Sequence, residues 1–152
     1  MMEVYRISKQ LYAKDKQGLG SKLYGGRWNQ IGTPCIYTSQ RRALSVLEYA
    51  VNIELDAIPR NLNLTIYEVP EDEFKSFPVH RPTGDWRNMP YSNAARKFGS
   101  KLLFDTSCLG LKLPSAIIPE EHNYLINPLS SKVNLIEIIN AIDFSFDVRI
   151  KR

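Results

Sequence analysis

The stretch Tyr24-Gly25-Gly26-Arg27-Trp28-Asn29 gathers more chemically useful groups than any other part of the chain. Its two glycines permit positive φ and close backbone approach, which would press Arg27 and bare amides against a ligand. The Arg27 guanidinium offers its donors in a planar fork that suits a pyrophosphate. Trp28 offers a stacking face, or else pins the loop to the core. A tight turn with an exposed arginine is the plainer alternative, and the residues alone leave both open.

Glu48 is the next candidate. Arg41, Ser45, Glu48 and Asn52 recur at steps of three and four, so on a helix they share one polar stripe. The other faces carry Ala43, Leu44, Val46, Leu47, Ala50, Val51 and Ile53, a helix buried nearly all round. Its stripe faces bulk water, the default, or a polar cleft. Tyr37 ends an apolar run just before this helix, where a phenol stacks on a ring, bonds a ribose or simply fills the core. Ser115 follows Pro114 between two apolar segments and lacks the Gly-x-Ser-x-Gly surroundings of an activated nucleophile. Asn127, before Pro128, reads as a turn residue.

The elements that must hold these groups follow from periodicity. Strands are expected over 4–7, 35–37 and 62–69, the last a clean alternation at period two. Ser39 is the expected N-cap of a helix over 40–53, and a second helix is expected over 93–104 with Ala95, Phe98 and Leu102 inward. Residues 14–33 and 78–90, rich in polar residues, glycine and proline, read as long loops. Short strands over 109–113, 115–118 and 124–126 are broken by prolines, and 134–146 forms one or two closing strands or a small helix. Strands without regular βαβ alternation argue for an α+β fold with a mixed or antiparallel sheet and a few packed helices.

At 152 residues the chain is one domain, residues 1–152, without repeat or linker. The start lacks a basic, apolar leader and no apolar run reaches bilayer length, so a soluble, cytoplasmic protein is expected. Cys35 and Cys108 sit among apolar neighbours as buried thiols, and His80 and His122 are too isolated for a metal site. The net charge of +4 is dispersed along the chain, which disfavours a nucleic-acid footprint but permits a small anionic ligand.

The pieces Tyr5-Arg6-Ile7, Gly25-Gly26-Arg27-Trp28-Asn29 and Ile36-Tyr37-Thr38-Ser39, in this order, resemble the RES domain family. The series continues through Ala43-Leu44-Ser45-Val46-Leu47-Glu48, Leu113-Pro114-Ser115-Ala116 and Asn123-Tyr124-Leu125-Ile126-Asn127-Pro128. Only residues 56–91 match loosely. The resemblance implies a compact split-sheet fold related to ADP-ribosyltransferases, with NAD⁺ as substrate and no metal. It implies that Arg27, Glu48 and Tyr37 are catalytic, and that Arg6, Gly26, Trp28, Ser115 and Asn127 bind substrate. The implied activity is toxin-like cleavage of the nicotinamide–ribose bond by hydrolysis or phosphorolysis. The implied partner is a cognate antitoxin with a helix-turn-helix DNA-binding domain. Two alternatives stand beside it: transfer of ADP-ribose to a cellular protein, and a non-enzymatic basic nucleic-acid-binding module that stacks bases on Trp28 and Trp86.

Overall fold

The computed structural model describes residues 1–78, 82 and 84–150. Strand β1 (Met2–Lys9) pairs antiparallel with β3 (Leu62–Val69) along its whole length, from Met2↔Val69 to Lys9↔Leu62. Strand β3 pairs in turn with β7 (Glu137–Phe144). In the other half, β2 (Ile36–Ser39) pairs with β6 (His122–Ile126), β6 with β5 (Gly110–Pro114), and β5 with β4 (Phe74–Ser76). Among the described residues these strands form one mixed sheet in the order β4-β5-β6-β2-β1-β3-β7, in which β4 and β5 alone run parallel. The two halves meet at the single registered pair Tyr5↔Ser39. The fold is α+β, as expected, and the sheet is split in the sense that its central strands barely hold one another.

Period two does the work of building the faces. Leu125 of β6 joins Leu111 and Leu113 of β5 beneath helix α3 (Asn93–Leu103), while Tyr124 and Ile126 turn to the opposite core. Helix α3 starts on Ser92, whose side chain accepts from the Ala95 amide at 3.0 Å, a conventional N-cap. Ala95 is buried, and Phe98 and Leu102 pack against the same core. Trp28 and Trp86 stack there with centroids 5.7 Å apart. Helix α2 (Arg42–Val51) follows β2 directly and packs Val46 and Tyr49 against Ile7, Leu62 and Leu64.

Several sequence expectations shift. Residues 14–33 are not all loop, because helix α1 (Leu19–Tyr24) forms within them. Ser39 is the last residue of β2 and not a cap. The helix begins at Arg42 and has no side-chain cap. It is less enclosed than expected, with Ala43 and Val51 exposed. Residues 115–118 make a turn, not a strand, since Ser115 Oγ accepts from the amides of Ile117 and Ile118 at 3.1 and 3.2 Å. Residues 134–146 give one strand, β7, preceded by a 3₁₀ turn at Val133–Leu135. The expected loop over 78–90 includes 79–81 and 83, and so His80, outside the described residues. Cys35 and Cys108 are buried free thiols.

Helix α3 lies so close to the glycine-rich loop that a side chain at Gly99 would overlap the Trp28 carbonyl. Gly99→Ala is therefore expected to destabilise the protein by about 1–3 kcal/mol in urea unfolding. Gly20 in α1 has open space around it, so Gly20→Ala serves as the control and is expected to be neutral or slightly stabilising. Equal stability of the two variants would contradict the tight packing.

Candidate active site

A cleft of about 520 Å³ opens beside the one-pair junction of β1 and β2. Arg6 and Tyr37 come from those strands, Glu48 from α2 and Asn52 from the C-cap of α2. The glycine-rich loop brings Arg27, and the segment before α3 brings Tyr91. The polar stripe of α2 thus faces the cleft through Ser45, Glu48 and Asn52, while Arg41 pairs with Glu121 at 3.0 Å.

Glu48 is half-buried and held by one of its two oxygens. Ser115 Oγ and Asn123 Nδ2 each donate to Oε1 at 2.7 Å. Ser115 accepts from two backbone amides, so its one proton is directed at the carboxylate. Neither donor engages Oε2. Ser115 itself is fully buried. Its hydroxyl donates to Glu48, and it does not line the cleft, where the sequence placed it in substrate binding.

Arg27 is held from the opposite side. Nη1 donates to the carbonyls of Trp86 (2.7 Å) and Asn88 (3.1 Å), and Nη2 lies 3.4 Å from Met89 Sδ. Its guanidinium carbon stacks 4.8 Å over the Tyr91 ring. Nε and one Nη2 proton then lack an oxygen partner among the described residues, which leaves part of the fork for an anion. Burial lowers the Arg27 pKa from its ordinary value, partly offset by the nearby Tyr91 and Glu48. Tyr91 donates its hydroxyl to Asn52 Oδ1 at 2.7 Å, so its segment bridges from Arg27 to α2.

The loop between these walls is rigidly clamped. Tyr37 donates to Asn29 Oδ1 (2.6 Å) and accepts from the Trp28 amide (3.0 Å). A Cβ on Gly26 would sit 2.7 Å from that hydroxyl, so glycine is required there by contact. Helix α3 adds Arg96 Nε to the Gly26 carbonyl (3.2 Å) and Ser100 Oγ accepting from the Gln30 amide (2.8 Å). The Tyr37 hydroxyl is therefore occupied by the loop, while its ring lines the cleft. Burial raises its pKa well above the ordinary value, so it remains a neutral phenol at neutral pH.

Of the residues singled out from sequence, Arg6, Gly26, Arg27, Trp28, Tyr37 and Glu48 come together at the cleft. Trp28 lines the cleft while its ring is buried against Trp86 and Phe98, where it anchors the loop. Asn127 is not in the cleft lining. It is fully buried away from the cleft, its amide shared among the carbonyls of Leu103, Asp105 and Cys108 at the end of α3. Sequence reasoning missed Ser39, Asn52, Asn123 and Tyr91 as contributors. Asn52 was already on the α2 stripe, and Asn123 opens the quoted Asn-Tyr-Leu-Ile-Asn-Pro stretch. Among the described residues no group of three or more His, Cys, Asp or Glu is gathered as a metal cage. None of the described helices is long and apolar enough to cross a membrane.

A splayed mixed sheet with one fixed carboxylate and a partly free arginine at a single cleft defines an α+β protein. The RES domain family matches residues 3–147, and the chain belongs to it. It is 31% identical to a protein named Toxin Res from Photorhabdus laumondii, over 98% of this chain and 97% of that protein. It is 34% identical to the Prs ADP-ribosylating toxin of a Sphingobium species, over 92% of this chain and 89% of that one. A chain in the crystal structure of the M. tuberculosis MbcT–MbcA toxin–antitoxin complex shares the fold with a TM-score of 0.73 at 13% identity. That match covers 95% of this chain and 84% of the other.

The raised Tyr37 pKa has a testable sign. Below about pH 10 the phenol is neutral folded and unfolded; above it the unfolded chain ionises first, so stability falls as pH rises. Tyr37→Phe is expected to cost about 1–3 kcal/mol at pH 7, by orphaning Asn29 Oδ1 and the Trp28 amide. It should also make the alkaline decline shallower than in wild type, measured by urea unfolding from neutral to alkaline pH. An unchanged slope would contradict burial of that phenol.

Proposed function

We propose that the chain cleaves the bond between nicotinamide and ribose in NAD⁺, passing ADP-ribose to water or phosphate. The observation that carries this reading is the fixation of Glu48 through Oε1 alone, which presents Oε2 to a cleft shared with Arg27. When the C–N bond breaks, its electron pair leaves with nicotinamide, which departs neutral and needs no general acid. The sugar left behind is oxocarbenium-like, and an ionised carboxylate beside it stabilises the developing positive charge. Water or phosphate then adds through oxygen to the same carbon, water losing a proton. Arg27 supplies free donors for the pyrophosphate, and the Tyr37 and Tyr91 rings enclose the site. The cleft volume falls within the roughly 300–1,000 Å³ common for small-molecule sites.

An enzyme that drains NAD⁺ harms its host. We accordingly assign the chain a toxin's role, neutralised by a cognate antitoxin carrying a helix-turn-helix DNA-binding domain. The names of its relatives and the toxin–antitoxin complex that shares its fold support this role. A second reading, transfer of ADP-ribose to a cellular protein, is favoured by the name of the Sphingobium relative.

Purified chain is expected to release nicotinamide from NAD⁺, with ADP-ribose formed in phosphate-free buffer or its phosphate ester when phosphate is added. Glu48→Gln should lower that rate by about 100-fold or more while leaving the fold intact. Chromatography with mass detection follows both products. Full turnover by Glu48→Gln contradicts the assignment, and ADP-ribose recovered on cellular protein instead of free selects the second reading.

A further inference from the structure

We infer that Ser39 and Asn123 are positioning residues for Glu48, forming a hydroxyl-to-amide-to-carboxylate chain that holds Oε2 toward the cleft. The inference rests on the reading of Glu48 as the reacting carboxylate. Ser39 and Asn123 stand directly opposite each other in the β2–β6 register. Ser39 Oγ donates to Asn123 Oδ1 at 2.7 Å, and Asn123 Nδ2 donates to Glu48 Oε1 at 2.7 Å. An amide has one donating and one accepting end; the carboxylate, which only accepts, takes the donating end, and the Ser39 hydroxyl donates to the other. With Ser39 donating to Oδ1, Nδ2 is turned to the carboxylate. The reversed amide would set Oδ1 against Oε1, two acceptors at contact distance.

The chain also ties Glu48 to the junction of the sheet. Ser39 is the β2 residue paired with Tyr5 of β1, so the pair that joins the two halves also orients the amide. Ser115 approaches the same Oε1 from the turn after β5. Two charge-assisted donors on one oxygen, from separate elements, resist rotation of the carboxylate in a way that one would not. Asn123 thereby links the sheet junction to the group that faces substrate.

Asn123→Asp preserves shape but replaces the donor with a second carboxylate. Its kcat for NAD⁺ is expected to fall about 10- to 100-fold at neutral pH, with KM within about twofold of wild type. Below about pH 6 the introduced carboxyl takes up a proton and can donate to Oε1, so part of the lost kcat should return, with no such rise in wild type. Arg27, Arg87, Tyr37 and Tyr91 also face the cleft, and His122 adjoins Asn123, but all are shared with wild type and cancel in the comparison. Ser39→Ala, the second variant, should lower kcat about 3- to 10-fold at unchanged KM and without acid recovery.

A reading independent of turnover comes from ¹⁵N NMR of the Asn123 side-chain amide. Its bond to Glu48 should shift one amide proton downfield, and Glu48→Ala should remove that shift. Wild-type kcat and pH profile in Asn123→Asp, a loss carried by KM alone, or an amide resonance indifferent to Glu48→Ala each overturns the inference. Full activity in Glu48→Gln defeats the parent reading instead, while an inactive Glu48→Gln beside a normal Asn123→Asp defeats only the positioning role.

Discussion

Tyr5 and Ser39 form the one registered pair between β1 and β2, whereas β1 holds β3 along its full length and β2 holds β6 over all four of its residues. Strands joined at one point diverge on either side of it, and the space between them must be filled or left open. Here α2 rises directly from β2 and packs Val46 and Tyr49 onto the β1–β3 side. The polar stripe of that helix is then carried over the opening. The cleft is a consequence of the weak central pairing, and the groups at its rim are placed by strong pairings to either side.

The surroundings suit a reaction in which positive charge develops on a sugar. One carboxylate oxygen is immobilised by two donors, and the other is left for the cleft. The arginine opposite is anchored through two backbone carbonyls but keeps donors in reserve. Tyr37 and Tyr91 are kept neutral by burial, so they add apolar surface without competing charge. Charges act more strongly where neighbouring groups exclude water, and fixed dipoles need no reorganisation as the reaction proceeds. The proposed reaction asks for no second carboxylate, because its leaving group would depart without a proton.

Much of the framework was legible in the amino acids. The alternation over Leu62–Val69 marks β3 at its observed bounds, and the spacing of Ala95, Phe98 and Leu102 marks the inner face of α3. The α2 stripe was legible as well, but not the side it faces, since that depends on where β1 and β2 diverge. The partners of Trp28 and Asn127 were not legible, because residues distant in sequence surround them. Asn123 lay hidden for the same reason: its partners Ser39 and Glu48 come from two other segments, β2 and α2. Cross-strand register and helix approach set those contacts, and neither is written in local periodicity.

The central claim is that Glu48 Oε2 and Arg27 grip the two ends of one dinucleotide half. It is tested most directly by a crystal structure with an unreactive NAD⁺ analogue whose nicotinamide-ribose ring oxygen is replaced by methylene. The sugar carbon bonded to nicotinamide should lie against Glu48 Oε2, with the pyrophosphate on Arg27 and Ser115 and Asn123 still on Oε1. An analogue seated elsewhere, or one that turns its adenine toward Glu48, would contradict the assignment of the cleft chemistry.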